Sequence, residues 1–135
     1  MKEFGSDFHY IDSYNRAGKT LHDYIPSANY YADGRLALIH LYKSQGWERL
    51  WIPEYFCYDV IASFRNAGLE LVSYSDFPTY KGDSVTLNCI QNNGLFRPTD
   101  AILRVNYFGL RSHRNSENLP VAAIIEDHTH DLIGD

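Results

Sequence analysis

The sequence predicts an α/β fold, a three-layer α/β/α arrangement around a mainly parallel sheet. Two observations carry this. Apolar runs of strand length at 50–52, 69–74, 101–105 and 121–125 occur together with segments of helical spacing. The last run, Val121-Ala-Ala-Ile-Ile125, is apolar without alternation, the pattern of an inner strand buried on both faces. A chain of 135 residues without internal repeat or low-complexity tract reads as a single domain, long enough to bury a core.

Residues 1–31 are polar and aromatic, punctuated by Gly18, Pro26 and Ser27, and read as an N-terminal arm with a short helix over 20–24. Asp33 caps a predicted helix over 34–45, with Leu38, Leu41 and Tyr42 on its inner face and Gly46 at its end. A strand over 50–52 stops at Pro53. A second helix is expected over 55–67, with Val60, Ile61 and Phe64 inward and Gly68 as its stop, followed by a strand over 69–74. Residues 75–99 hold Pro78, Gly82, Asn92-Asn93-Gly94 and Pro98, so they read as loop with a small strand over 85–90. The strand over 101–105 runs into Asn106-Tyr107-Phe108-Gly109, and a polar connection leads to the strand over 121–125.

Composition narrows the function classes. A hydrophobic content of 44% with 21% charged residues is that of a soluble globular protein. The net charge of -5 argues against a nucleic-acid partner, because phosphate contacts need basic surface. The N-terminal residues lack the apolar core of a signal peptide and no run approaches membrane-spanning length, so the expected setting is cytoplasmic with no membrane partner. Cys57 and Cys89 are too few for a disulfide scaffold and form no CxxC pair, which fits a reduced compartment. Eleven tyrosines suit a sugar or cofactor pocket, and equally a packed core or an oligomer surface.

Three groups of residues could carry chemistry. At Asp33-Gly34-Arg35-Leu36, a helix start would aim the N–H groups of Gly34, Arg35 and Leu36 at an anion, although Asp33 alone suffices as a cap and its charge opposes one. At Trp51-Ile-Pro-Glu-Tyr-Phe-Cys-Tyr58, Tyr55 and Phe56 could stack on a flat heterocycle or pack against the next layer. Cys57 near a helix start has no base beside it in sequence. At Glu126-Asp127-His128-Thr129-His130, Asp127 could hold a protonated pyridine nitrogen. Alternatively Asp127, His128 and His130, with Asp131 nearby, form a metal-ligand set of the kind used by hydrolases, or the strand simply ends in solvated polar residues.

In this order, the motifs resemble the N-terminal part of the DegT/StrS-type sugar aminotransferases, which are fold-type-I pyridoxal-phosphate enzymes. The resemblance rests on Asp33-Gly34-Arg35-Leu36-Ala37-Leu38, Trp51-Ile52-Pro53-Glu54-Tyr55, Ala67-Gly68-Leu69-Glu70, Asn106-Tyr107-Phe108-Gly109 and Glu126-Asp127-His128-Thr129-His130, and covers roughly 32–134, most of the chain. It implies an incomplete fold-type-I large domain that would bind pyridoxal 5'-phosphate. Gly34 and Arg35 would give backbone N–H groups to the phosphate, and Asp127 would pair with the ring nitrogen. His130 would lie near the phenolic oxygen, and the stacking residue would come from Tyr55, Phe56 or Cys57. Asp33, His128 and Thr129 depart from the small residues usual at those places.

None of Lys2, Lys19, Lys43 and Lys81 matches the family's Schiff-base lysine. The expectation is therefore a part of an aminotransferase-like protein, inactive by itself and holding no metal. The parent activity would move an amino group to a keto-sugar or similar carbonyl. A homo-oligomer or a complementing half is the expected partner. A metal-dependent hydrolase and a non-catalytic interaction module are the alternatives.

Overall fold

A computed structural model describes residues 23, 26–79, 93–109 and 119–129. Four strands, β1 (Arg49–Pro53), β2 (Leu71–Tyr74), β3 (Asp100–Val105) and β4 (Ala123–Asp127), form one sheet in the order β2-β1-β3-β4. Every pairing is parallel. Two helices, α1 (Gly34–Gln45) and α2 (Tyr58–Asn66), pack against it, and a 3-10 turn spans Tyr107–Gly109. The α/β architecture with a parallel sheet is thus present. The expected helix over 20–24, apart from Asp23, and the small strand over 85–90 lie outside the described residues.

The strand order follows from right-handed crossovers. From β1 to β2 the chain steps one way along the sheet; from β2 to β3 and on to β4 it steps the other way. Accordingly, α2 in the β1–β2 connection packs with α1 on one face, where Tyr42 and Phe64 meet Leu50, Ile52, Ala101, Leu103 and Val105. On the other face, Phe96 and Leu119, which precede β3 and β4, pack with Trp51, Tyr74 and Ile102.

Local signals set α1. The Asp33 carboxylate accepts from the Leu36 N–H, and Gly46 ends the helix in the left-handed conformation at φ 68, which costs glycine little. Its inner face is Leu38, Ile39 and Tyr42. The expected Leu41 is exposed, because at about 100° per residue it falls beside that stripe.

Helix α2 begins three residues later than predicted. Residues 54–56 form a bend in which the Glu54 N–H still bonds the Tyr74 carbonyl and the Tyr55 carbonyl accepts from Tyr107, so Cys57 becomes the N-cap. Leu69 turns out to close α2, donating to the Phe64 carbonyl, and β2 starts at Leu71.

The fourth strand also starts two residues later than predicted. Val121 and Ala122 bend, the Ala122 N–H donates to the Asp100 carbonyl, and pairing then runs from Ala101↔Ala123 to Val105↔Asp127. The strand buried on both faces is β3, all six of whose residues are buried. Ile124 and Ile125 are only half-buried, because β3 is the one strand paired with β4 among the described residues.

Candidate functional site

The C-terminal edge of the sheet collects most of the predicted residues. Helix α1 joins β1 through only 46–48, so it runs antiparallel to the strand. Its twelve residues rise about 18 Å, against about 16 Å for the five of β1. Its N-terminus is therefore level with the C-terminal edge, where α2 also starts. The strand order reverses between β1 and β3, and ligands of open α/β sheets bind outside the strand ends at such a point.

Between β1 and β3 the edge is tied shut low down. Tyr107 is buried, and its hydroxyl donates to the Tyr55 carbonyl at 2.6 Å. The Tyr55 ring meets Tyr107 edge-on at 5.6 Å between centroids and Phe77 at 6.4 Å. Tyr55 remains half exposed above this tie, Phe56 packs on the helical-face core, and the Cys57 thiol is exposed and free. Phe108 follows in the left-handed region at φ 58, with its ring exposed.

Strand alternation sorts the groups at the end of β4. Asp127 pairs with Val105 and so points to the helix-bearing face, whereas Glu126 pairs with Arg104 on the other. The Asp127 Oδ1 accepts from the Thr129 N–H at 2.9 Å and from its hydroxyl, an Asx turn that orients the carboxylate. Both bonds fall on Oδ1, so among the described residues Oδ2 is left to meet a donor.

The His128 ring spans two partners. Its Nε2 lies 3.3 Å from a Glu126 carboxylate oxygen, and its Nδ1 lies 3.5 Å from the side-chain nitrogen of buried Asn106. That pairing suits the tautomer whose Nε2–H donates to Glu126. The Asn106 N–H in turn bonds the Asp127 carbonyl at 2.9 Å, joining the β3 and β4 ends.

The predicted anion site at α1 is built differently. Asp33 Oδ1 takes the Leu36 N–H at 2.8 Å, and Oδ2 pairs with the Arg35 guanidinium at 3.2 Å. The Leu36 hydrogen bond, reinforced by Arg35, holds the Asp33 carboxyl below its ordinary value. A carboxylate thus lies where an anion would have to sit. Nor does the space demand glycine, since a Cβ on Gly34 would meet nothing within 4 Å.

Sequence reasoning missed an arrangement at the opposite, N-terminal edge. Asp100 is fully buried and accepts from Arg49 Nε at 2.8 Å and Nη2 at 2.6 Å, from Trp51 Nε1 at 2.7 Å, and from the Arg97 N–H at 2.9 Å. Burial by itself would raise the Asp100 pKa, but these donors, Arg49 foremost, bring it below the ordinary value. The same hydrogen bond raises the Arg49 pKa. The Arg49 guanidinium also sits over the Trp51 ring, 5.4 Å from its centroid. No single side chain in this set has a local sequence signal, because Arg49 and Asp100 meet only through the β1–β3 register.

Of the expected cofactor residues, Gly34 and Arg35 belong to the self-capped helix start, Tyr55, Phe56 and Cys57 to the β1–α2 bend, and Asp127 to the β4 end. His130 lies outside the described residues, as do Asp131, His113 and Cys89. Direct contacts link Tyr55 to Tyr107, and Asn106 to both Asp127 and His128. Among the described residues, no group of three His, Cys, Asp or Glu side chains could hold a metal ion, and no helix is long and apolar enough to cross a membrane. In comparisons with known proteins, no family model, no curated protein and no solved structure matches the chain.

Proposed function

We propose that the C-terminal sheet edge is one wall of a pyridoxal-phosphate pocket in an aminotransferase-like protein of the DegT/StrS type. The carrying observation is Asp127. It ends a parallel strand on the helix-bearing face, its Oδ1 is held by Thr129, and among the described residues Oδ2 is left to meet a donor. A carboxylate so held keeps a ring nitrogen protonated, which lets the bound cofactor act as an electron sink.

The two ends of the expected pocket fit unequally. Asp127 suits the ring nitrogen, and the exposed Tyr55 ring lies on the same edge. The phosphate end does not fit as it stands, because Asp33 already caps α1 with its own charge. Lys43, the lysine among the described residues, lies in the last turn of α1, at the far end from Gly34. The described residues therefore bind and orient; the amine that would carry out transfer is not among them. A complementing subunit or segment, and the keto-sugar acceptor, belong to the same proposal.

Pyridoxamine 5'-phosphate tests the reading, since it has the ring and phosphate but no aldehyde to react with surface lysines. Titration calorimetry on the full chain is expected to show binding that Asp127→Asn weakens by about tenfold, the loss of one ionic hydrogen bond. Asparagine keeps Oδ1 for the Thr129 turn, so folding is spared. Equal binding by D127N and the unaltered chain, or none by either, contradicts the proposal.

A further inference from the structure

Strand β4 is composed like an inner strand and placed like an edge. Residues 121–125 are apolar without alternation, the pattern of burial on both faces. Among the described residues, however, β4 pairs with β3 alone, and Ala123, Ile124 and Ile125 are each only half-buried. Ala123 and Ile125 pack partly against the helical-face core, and Ile124 against the core of the other face. No proline, lysine or arginine guards 121–127, the residues that usually blunt an edge. The other edge strand, β2, is shorter and carries the exposed Ser73.

The ladder fixes which backbone groups of β4 face outward. The Asn106 N–H bonds the Asp127 carbonyl at 2.9 Å, and Asp127 is in register with Val105. Along a strand, residues whose N–H and C=O both point to one neighbour alternate with residues that turn both the other way. Ala123, Ile125 and Asp127 therefore address β3, while the N–H and C=O groups of Ile124 and Glu126 point away from it. Among the described residues no backbone partner meets them.

A second β4 completes this row. Laid antiparallel about a two-fold axis at Ile125, it sets Ile124 of each copy against Glu126 of the other, so every outward N–H meets an outward C=O. Ile125 then faces its own counterpart in the close, non-hydrogen-bonded position on the helix-bearing face. Asp127 falls opposite Ala123, so no carboxylate faces another. An axis at Glu126 would set that acid against itself. An axis at Ile124 would call on the Ala122 N–H, which the Asp100 carbonyl already holds at 2.7 Å.

We propose that β4 is a self-association edge, on which β4 of a second copy of this chain pairs antiparallel to make one continuous sheet. The pairing uses the backbone of Ile124 and Glu126, so it stands or falls apart from the pocket reading.

Sedimentation equilibrium of the full chain is expected to show a dimer of the 15.6 kDa chain that dissociates on dilution. Glu126→Pro removes an outward N–H and an exposed side chain, a place where an edge strand tolerates proline. It should weaken the dimer by about tenfold or more, through one lost hydrogen bond from each copy. Under mild oxidation I125C should cross-link to its counterpart and A123C should not, because Ala123 faces Asp127 rather than itself. Peptide mapping separates that link from any through the exposed Cys57, and cross-linking decides even if E126P does not fold.

A monomer at every concentration, a dimer that folded E126P leaves unweakened, or equal cross-linking of I125C and A123C overturns the proposal. A monomer whose Ile124 and Glu126 amides resist hydrogen exchange also overturns it, by giving the edge to another segment of the chain.

Discussion

Two aspartates on neighbouring strands, Asp100 at the start of β3 and Asp127 at the end of β4, show how differently one fold uses the same side chain. Asp100 is fully buried, and Arg49, Trp51 and the Arg97 N–H surround it with donors. Asp127 is half-buried, and its hydrogen bonds among the described residues come from Thr129, two residues along the chain. Saturation marks Asp100 as structure: its charge is offset by groups that the β1–β3 register brings up. Asp127 has been oriented but not consumed, at the edge where parallel sheets meet their ligands. The contrast separates a lock from a candidate site without reference to residue type.

The largest effect that could break this contrast lies in the lock. Asp100→Ala should cost about 3–5 kcal/mol, because it strands the Arg49 guanidinium and the Trp51 N–H. Urea unfolding measures it, and a loss no larger than that of an exposed substitution would show that Asp100 is not a lock. The pH dependence has a definite sign. A carboxyl whose folded pKa lies below its ordinary 3.8 stabilises fully above that value and loses the contribution as pH falls through the folded one. The unfolding midpoint should therefore fall in acid below about pH 4, and less steeply in D100A than in the unaltered chain.

A smaller effect sharpens the site side of the comparison. Asp33→Asn keeps a good N-cap and so should barely change the melting temperature, while removing the charge at the start of α1. If that helix start can serve a phosphate at all, affinity for pyridoxamine 5'-phosphate should rise roughly three- to tenfold. Unchanged affinity would assign Asp33 to capping alone and move the phosphate end elsewhere.

Helix α1 was legible to the residue, because Asp33 and Gly46 act within one turn of themselves. The parallel sheet was legible from its apolar runs, with β3 extended by one residue at its start. Strand β4 was misread by two residues because pairing with β3 decides where it starts, through the Ala122 N–H on the Asp100 carbonyl. That shift matters chemically. Glu126 and Asp127 lie within the strand rather than after it, so alternation sends them to opposite faces and divides what looks in sequence like one acid–imidazole cluster. The lock was invisible for the same reason, since Arg49 and Asp100 are partners across a strand pair. The positive φ of Phe108 depends on its pinned neighbours, and no residue type announces it.

Amide chemical-shift mapping with pyridoxamine 5'-phosphate tests the division of the sheet into a lock and a ligand edge most directly. The expected result is shifts at 54–57, 106–109 and 127–129, with residues 48–51 and 97–101 at the lock unmoved. Shifts centred on Arg49, Trp51 and Asp100, or none at the C-terminal edge at saturating ligand, would contradict it.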